Sequence, residues 1–220
     1  MSTFQRARSE EQREIRRRAI LDTAAAMVGE MPVAAVSLNE LSRRVGLAKS
    51  NVLRYFESRE AVLLDLLALR ADAFLVRVGG QLPDADGSAR SRVEGVASVL
   101  AREFAADPML CELLGAQAGA LERNVSAETV AQYKRDGYRS LDGFGVALLQ
   151  VLPELGDAVT EAVRTLLVLA GALWTHAHPP QAVREAYAAD PSLVFLPDGF
   201  AKTLERTIAV VLLGVLAVGS

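Results

Sequence analysis

The sequence has few of the residues on which many proteins depend for cross-links and aromatic cores. It has one cysteine, Cys111, so no disulfide can form within the chain, and nothing indicates an oxidising compartment. Aromatic residues make up only 5% of the 220 residues, although hydrophobic residues make up 51%. Alanine, valine and leucine must therefore build the core, and their long stretches with a 3.6-residue period predict an all-α protein.

The patterns of membrane segments, signal peptides and common catalytic sites are also missing. The first residues are polar, and the most hydrophobic run, Ile208 to Val218, has about half of the roughly 20 residues that a membrane-spanning helix needs. We find no Gly-rich phosphate loop, no nucleophile elbow and no carboxylate–histidine cluster with metal-ligand spacing. The sequence therefore predicts a cytoplasmic protein that is not an enzyme and needs no cofactor.

The net charge of −3 is unevenly distributed along the chain. Residues 1–60 carry 11 Lys and Arg against 8 Asp and Glu, whereas residues 61–220 carry 13 against 19. A basic N-terminal part on an acidic body fits a polyanion-binding module joined to a second domain. An architectural, sequence-independent DNA-binding protein would be strongly basic throughout, and this chain is not.

Local signals define a short helix that begins after Ser37. This serine is a good N-cap, and Glu40, three residues later, fits the second position of a capping box. The apolar spacing continues the helix over Leu38 to Val45. Gly46 follows, where a helix commonly ends in a left-handed backbone conformation.

A second short helix is predicted from about Lys49 to Phe56. Its apolar residues are Val52, Leu53 and Phe56, and the remaining side chains are mostly polar or basic. Two helices of this length, joined by a turn of three or four residues that contains glycine, have the spacing of a helix-turn-helix.

Helical spacing extends over most of the remaining chain. Residues 1–12 are predicted to form a frayed arm, Gly29 to end the first helix, and Ser58 to cap the helix after the helix-turn-helix. Residues 79–87 are predicted to form a turn or linker. In all we expect about nine or ten helices, over residues 13–28, 38–45, 49–56, 58–78, 88–105, 108–123, 127–152, 157–176, 181–188 and 199–218.

The stretch from Ile20 to Leu67 resembles the DNA-binding domain of the TetR family of transcriptional regulators. The matching pieces are ILDTAAAMV, SLNELSRRVGL and NVLRYFESREAVL, and their ordered combination is far more specific than helix-turn-helix spacing alone. The resemblance implies a three-helix DNA-binding domain with its arm in residues 1–57. It also implies a larger all-helical ligand-binding and dimerisation domain in residues 58–220.

The resemblance implies a ligand-responsive regulator, most often a repressor, that binds a palindromic operator in double-stranded DNA as a homodimer. In a recognition helix, arginine can pair with guanine and asparagine with adenine. Base or groove contacts are implied for Asn39, Lys49, Ser50, Asn51 and Arg54. Phosphate contacts are implied for Ser37, Tyr55 and Arg59.

Two positions depart from the family pattern. Ala48 stands where many members have a Ser or Thr that caps the recognition helix, and Leu53 replaces a tyrosine that often reaches phosphate. Some phosphate contacts must then be weaker or come from elsewhere. Basic residues in and beside the N-terminal arm are candidates: Arg6, Arg8 and Arg13.

Two C-terminal helices, at about 157–176 and 199–218, are apolar nearly all round. Such helices must be buried on more than one side. The resemblance implies a four-helix interface between two protomers, which would space two recognition helices about one duplex turn, roughly 34–36 Å, apart. A monomer with a thick core is the alternative.

Polar and aromatic residues within the apolar helices are candidate contacts for a small-molecule effector, predicted to be apolar or weakly polar. They are Phe104, Gln117, Tyr138, Phe144 and Trp174, with Tyr133 and His176 as further candidates. Cys111 lies among leucines, which favours a buried inert thiol over a redox sensor. His176 and His178 would point roughly 200° apart on a helix, a poor geometry for a metal.

The resemblance also suggests how a ligand could act. Ligand binding would move the helix after Ser58 and thereby change the distance between the two DNA-binding domains of the dimer, so that they no longer fit the major grooves of the operator. The segment 107–123 would transmit the movement. A helical ligand-binding protein that has lost DNA binding is a further alternative. The polar set around Asn51 and Arg54 argues against it.

Overall fold

The computed structural model describes residues 2–218, with side chains from residue 10 onward. Within this range the chain forms ten α-helices and no β-strand, which confirms the predicted all-α class. The helices are α1 (Ser2–Glu30), α2 (Leu38–Val45), α3 (Lys49–Val52), α4 (Arg59–Gly79), α5 (Ala89–Ala105), α6 (Pro108–Ala116), α7 (Ala127–Val151), α8 (Val159–Ala177), α9 (Gln181–Ala189) and α10 (Gly199–Val218).

The helices form two compact units. The first comprises Met1–Leu69 and Ala116–Tyr133, and the second comprises Arg70–Gly115 and Lys134–Ser220. The chain passes between the units within α4, at the end of α6 and within α7. Two helices are therefore continuous from one unit into the other.

In the first unit, α1 packs on α2, and α2 packs on α3. The buried face of α1 includes Ile20, Ala24 and Met27, which recur at helical spacing. Leu41 of α2 and Val52 of α3 are fully buried as well. This core fixes the orientation of the two short helices, so most of their polar residues face outward; Ser42 of α2 is buried and donates to the Leu38 carbonyl at 2.7 Å.

The first helix is longer than the sequence pattern predicts. It begins at Ser2 rather than near residue 13 and continues through Gly29 to Glu30. Its N-terminal half is rich in Glu, Gln and Arg, which are strong helix formers even without an apolar stripe. Ile15 in this half is 61% exposed. The side chains of Arg6 and Arg8 lie outside the described residues.

In the second unit, α10 packs against α5 and α8. Buried residues such as Val96, Phe104 and Leu212 form its core. The helices α6 and α8 cross very closely at two glycines, since a Cβ added to Gly171 would lie 2.8 Å from the backbone nitrogen of Gly115. Only residues without side chains permit this separation.

The predicted cap at Ser58 is confirmed by its hydrogen bond, and the helix predicted to begin at residue 127 is capped by the serine before it. Ser58 Oγ accepts from the Ala61 N–H at 3.1 Å, and Ser126 Oγ accepts from the Thr129 N–H at 3.2 Å. The predicted helix 108–123 is wrong in its second half, where α6 gives way to a π-helical turn, Gln117–Leu121. The N–H of Glu122 accordingly bonds to the carbonyl five residues earlier.

Among the residues that the structure describes, one helical stretch, Pro153–Ala177, is long and apolar enough to cross a membrane by length and composition alone. It is not the run that the sequence pattern singled out. Core helices of soluble proteins meet the same criterion, so this stretch by itself does not indicate a membrane protein.

Candidate DNA interface

The helix α2 begins and ends as its sequence predicts. Ser37 has an extended backbone, and its Oγ accepts a hydrogen bond from the Glu40 N–H at 3.2 Å. At the other end Gly46 has φ 74°, in the left-handed region that favours glycine, and its N–H bonds to the Arg43 carbonyl. The turn into α3 is thus fixed by local hydrogen bonds.

The second half of the predicted capping box does not form. The Glu40 carboxylate accepts hydrogen bonds from Arg43, at 2.8 and 2.6 Å, and from Arg44, at 2.8 Å. These bonds lower the pKa of Glu40 to about 2. Arg44 also pairs with Glu30 at 2.6 Å. The two arginines therefore belong to a charge cluster on the outer face of α2.

The helix α3 is shorter than predicted. Regular α-helix covers only Lys49–Val52, and the N–H groups of Arg54 and Tyr55 then bond to carbonyls three residues earlier. Ala48 occupies the N-cap position and has no side-chain acceptor, as its sequence position implies. The backbone nevertheless keeps a helical winding as far as Phe56, where the N–H bonds to the Val52 carbonyl. Val52 and Phe56, one turn apart, are therefore both buried in the core.

The residues predicted to contact bases are exposed, one on α2 and the others on this segment. Within the described residues, none of their side chains forms a hydrogen bond or an ion pair. They are therefore available to a ligand: Asn39, Lys49, Ser50, Asn51 and Arg54. Leu53, expected to belong to the apolar face, is 42% exposed beside them.

Arg59, predicted to anchor a phosphate, is bound within the first unit. Its guanidinium pairs with Glu60 at 3.0 Å and donates to the carbonyl oxygens of Val36, at 2.9 Å, and Ala34, at 3.3 Å. These contacts fasten the segment before α2 to the start of α4. A phosphate here would have to compete with the Glu60 carboxylate for Arg59.

Sequence reasoning missed Arg17, which supports the end of the segment from Lys49 to Phe56, here named the recognition segment. Its guanidinium pairs with Asp65, donates to the Tyr55 carbonyl at 3.2 Å and lies 4.4 Å from the centre of the Phe56 ring. The stacking is a cation–π contact. Because these residues are 38 to 48 positions apart, no local pattern signals the contact; Tyr55 itself is half-buried.

The residue after the recognition segment is tied to the start of α7. The Glu57 carboxylate accepts a hydrogen bond from the Ser126 N–H at 2.6 Å, and this bond lowers the pKa of Glu57. Nearby, the Asn124 side-chain amide donates to Glu60 at 3.4 Å. All four residues belong to the first unit. No local sequence pattern signals this link either.

Comparison with known families agrees with this geometry. The family model described as "Bacterial regulatory proteins, tetR family" matches residues 20–66. A second model, "Tetracyclin repressor-like, C-terminal domain", matches residues 70–219, more than half of the chain. The chain belongs to the TetR family. It is a DNA-binding transcriptional regulator and not an enzyme.

Solved structures of TetR-family regulators have the same fold. A TetR transcriptional regulator from Rhodococcus sp. RHA1 is 18% identical with a TM-score of 0.54, covering 94% of this chain and 96% of that one. The fatty acid degradation regulator FadR from Bacillus halodurans is 15% identical with a TM-score of 0.50, covering 90% and 95%. Comparison with curated proteins finds no significant match. At these identities the likeness concerns the fold alone.

The candidate ligand contacts of this TetR-family chain lie in different environments. Phe104 is buried with its ring 4.2 Å from that of Phe74. Phe144 is also buried, whereas Tyr138 is 43% exposed with the Arg164 guanidinium 4.4 Å from its ring centre. All of these residues belong to the second unit.

The other two candidates have polar partners. Trp174, also in the second unit, donates from Nε1 to Glu112 at 3.1 Å. Gln117 lies in the first unit, at the start of the π-helical turn, and donates to Glu122 at 2.8 Å. The further candidate Tyr133 is half-buried. Their role in ligand binding stays a prediction.

Cys111 is fully buried, and its Sγ donates to the Phe104 carbonyl at 3.3 Å. Burial raises the pKa of this thiol to about 12, so it stays protonated and is a poor nucleophile. His178 bonds through Nδ1 to the Trp174 carbonyl at 3.0 Å. Among the described residues, no group of three or more His, Cys, Asp or Glu could hold a metal ion.

Proposed function

We infer that this TetR-family regulator is a repressor that binds a palindromic operator as a homodimer and is released by a small molecule. In this proposal residues 1–57 bind DNA, and residues 58–220 bind the ligand and dimerise. Both steps take place in the cytoplasm. The observation that carries the proposal is the exposed, unpaired polar face of the recognition segment.

The contacts of each side chain on that face indicate whether it binds a base, binds a phosphate or positions another residue. Lys49, Asn51 and Arg54 are exposed and can enter a major groove without breaking an internal bond. Ser37 presents a hydroxyl at the α2 N-terminus, where backbone N–H groups favour a phosphate. Arg59 is held by Glu60, so we assign it mainly to positioning. Exposed Arg13 of α1 is available for a further phosphate contact.

Dimerisation is supported by the outer faces of α8 and α10. Val168 of α8 is 71% exposed and Val210 of α10 is 64% exposed, although both helices are strongly apolar. Adjacent residues such as Ala172 and Gly214 are small and exposed too. A helix pair of this kind buries its outer apolar face by packing on a second copy of itself.

Ligand release requires a change that reaches the recognition segment. The Glu57–Ser126 hydrogen bond offers a route, because it joins the end of that segment to the start of α7, which continues into the second unit. The π-helical turn just before Ser126 is a place where the chain can rearrange. By linkage, operator DNA must weaken ligand binding by the same factor as the ligand weakens DNA binding.

Operator selection from random duplexes, followed by quantitative gel shifts, tests the DNA-binding part. We expect a palindromic consensus, and we expect Arg54→Ala to weaken its binding roughly tenfold to hundredfold, the loss of one base contact of about 1–3 kcal/mol. Arg43→Ala is the matched control, because Arg43 is an exposed arginine of the same unit that pairs with Glu40. A selection that yields no consensus would overturn the proposal and favour a helical protein that has lost specific DNA binding.

A further inference from the structure

A cleft of about 340 Å³ lies in the second unit, away from the recognition segment in sequence. It is formed by the end of α8, by α9, by the segment that follows α9 and by the start of α10. Its apolar lining includes Tyr187, Leu196 and Phe200. Cavities of this size with a few convergent polar groups are typical of small-molecule sites.

The polar lining of the cleft carries the positive charge of Arg184. It contains Arg184, His176 and His178, and the lining residues of the described chain include no Asp or Glu. Acidic residues close by in sequence have other partners: Glu185 accepts from Gln181 at 2.8 Å, and Asp198 pairs with Lys202 at 2.9 Å. Within residues 10–218 no hydrogen bond or ion pair engages the Arg184 guanidinium.

The wall of the cleft is aromatic and held in place. The His178 ring stacks on Trp174 with centroids 3.7 Å apart, and Trp174 meets Phe200 edge to face at 5.1 Å. Because His178 Nδ1 must donate to the Trp174 carbonyl, the neutral ring keeps its lone pair on Nε2. The orientation of this wall is thus fixed without a ligand.

The helix α9, which supplies Arg184 and Tyr187 to the lining, is incompletely packed. None of its nine residues, all within the described chain, is buried. Its inward-facing residues Val183 and Tyr187, one helical turn apart, are only half-buried. An apolar occupant of the cleft would cover this face, while an anionic group on the same occupant would meet Arg184.

We propose that this cleft binds a small amphipathic monocarboxylate, with the carboxylate at Arg184 and the apolar body against Phe200, Leu196 and Tyr187. Arginine binds carboxylates with two parallel N–H donors, which favours an acid over its neutral amide. This assignment replaces the apolar or weakly polar ligand predicted from composition. It does not depend on whether the protein represses or activates transcription.

Adamantane-1-carboxylate and adamantane-1-carboxamide are suitable probes, since both are rigid, compact and transparent to ultraviolet light. Trp174 is the only tryptophan in the sequence, so its fluorescence reports on the cleft wall. With the full-length protein we expect a saturable fluorescence change and one carboxylate per chain by calorimetry. The carboxamide should bind about tenfold more weakly or worse, because it cannot form the charged pair.

Arg184→Gln removes the positive charge from the cleft while leaving its apolar lining unchanged, so it tests the contribution of the charge alone. It should lower the affinity for the carboxylate about tenfold and leave that for the carboxamide unchanged. Arg90→Gln, an exposed arginine of the same unit outside the lining, should change neither. No saturable binding, equal affinity for the two probes, or an Arg184→Gln variant that binds the carboxylate normally would each overturn the proposal. Failure of operator selection would leave these results unaffected.

Discussion

At the scale of single residues, Ser37 has two roles that mutation can separate. Its Oγ caps α2 through the Glu40 N–H, and the same hydroxyl is a proposed phosphate contact. Ser37→Ala removes both, and we expect it to lower the free energy of unfolding by about 1 kcal/mol, the usual value of an N-cap. Urea denaturation measures this loss, and gel shifts measure the accompanying loss of operator affinity.

Ser37→Asp is the matched variant, because aspartate also caps helices and its charge is favourable at a helix N-terminus. We expect stability close to wild type together with weaker operator binding, since a carboxylate would then face a phosphate. An Asp variant that binds operator as tightly as the wild-type protein would show that Ser37 acts only as a cap.

Glu40 gives α2 a defined pH dependence. Hydrogen bonds from Arg43 and Arg44 lower the pKa of Glu40 from 4.5 to about 2 in the folded protein. A lowered pKa in the folded state adds stability above the unfolded pKa, and that stability is lost as the pH falls from about 4.5 towards 2. We therefore expect Glu40→Gln to be less stable than wild type at neutral pH, with the difference shrinking over this window.

Denaturation curves of both proteins across the acidic range measure that difference. A constant difference from neutral pH down to the acid limit would mean that the carboxylate charge does not stabilise α2. High salt at neutral pH should reduce the difference as well, because the pairs with Arg43 and Arg44 are exposed to solvent and screened.

At the scale of secondary-structure elements, the crossing of α6 and α8 depends on Gly115 and Gly171. A Cβ on Gly171 would lie 2.8 Å from backbone atoms of both Leu114 and Gly115. Backbone cannot move aside as a flexible side chain can, so we expect Gly171→Ala to cost about 1–3 kcal/mol of stability, the usual range for overpacking. Thermal and urea denaturation of the full chain measure the change.

Gly143→Ala is the control for that substitution. Gly143 lies within α7, and a Cβ added there would meet nothing within 4 Å. Alanine is favoured over glycine in a helix by about 0.8–1 kcal/mol, so this variant should be more stable than wild type. If Gly171→Ala were equally stabilised, the close crossing of α6 and α8 could not be a constraint on the fold.

At the scale of the whole molecule, the proposed dimer requires the apolar outer faces of α8 and α10. We expect Val210→Asp to convert the protein to a monomer, because two aspartates would be buried without partners across a symmetric interface. Sedimentation or light scattering measures the mass in solution. Operator affinity should fall with it, because a palindrome is then bound by one head at a time.

Val146→Asp on α7 is the matched control, since Val146 is 62% exposed and Val210 is 64% exposed. It should leave the mass unchanged. A wild-type protein that is monomeric at micromolar concentration, or a Val210→Asp variant that stays dimeric, would contradict the proposed interface.

The sequence by itself determined the features that depend on neighbours a few residues apart. The cap at Ser37, the left-handed Gly46 and the inward positions of Val52 and Phe56 all follow from local hydrogen bonding and helical spacing. The same local order of residues carries the family resemblance. Where the apolar pattern does not mark a helix end, as in the N-terminal half of α1 and after Val52, the predicted helix ends were wrong.

Only the tertiary structure decided contacts between distant parts of the chain. The placement of Arg17 against Phe56 and Asp65, the Glu57–Ser126 hydrogen bond and the glycine crossing of α6 and α8 depend on how helices pack. The unpaired Arg184 beside an aromatic wall depends on packing too. Helical periodicity predicts which face of a helix is buried, but it does not predict which other helix packs against that face. For that reason the sequence identified the recognition segment, whereas the structure alone located the cleft.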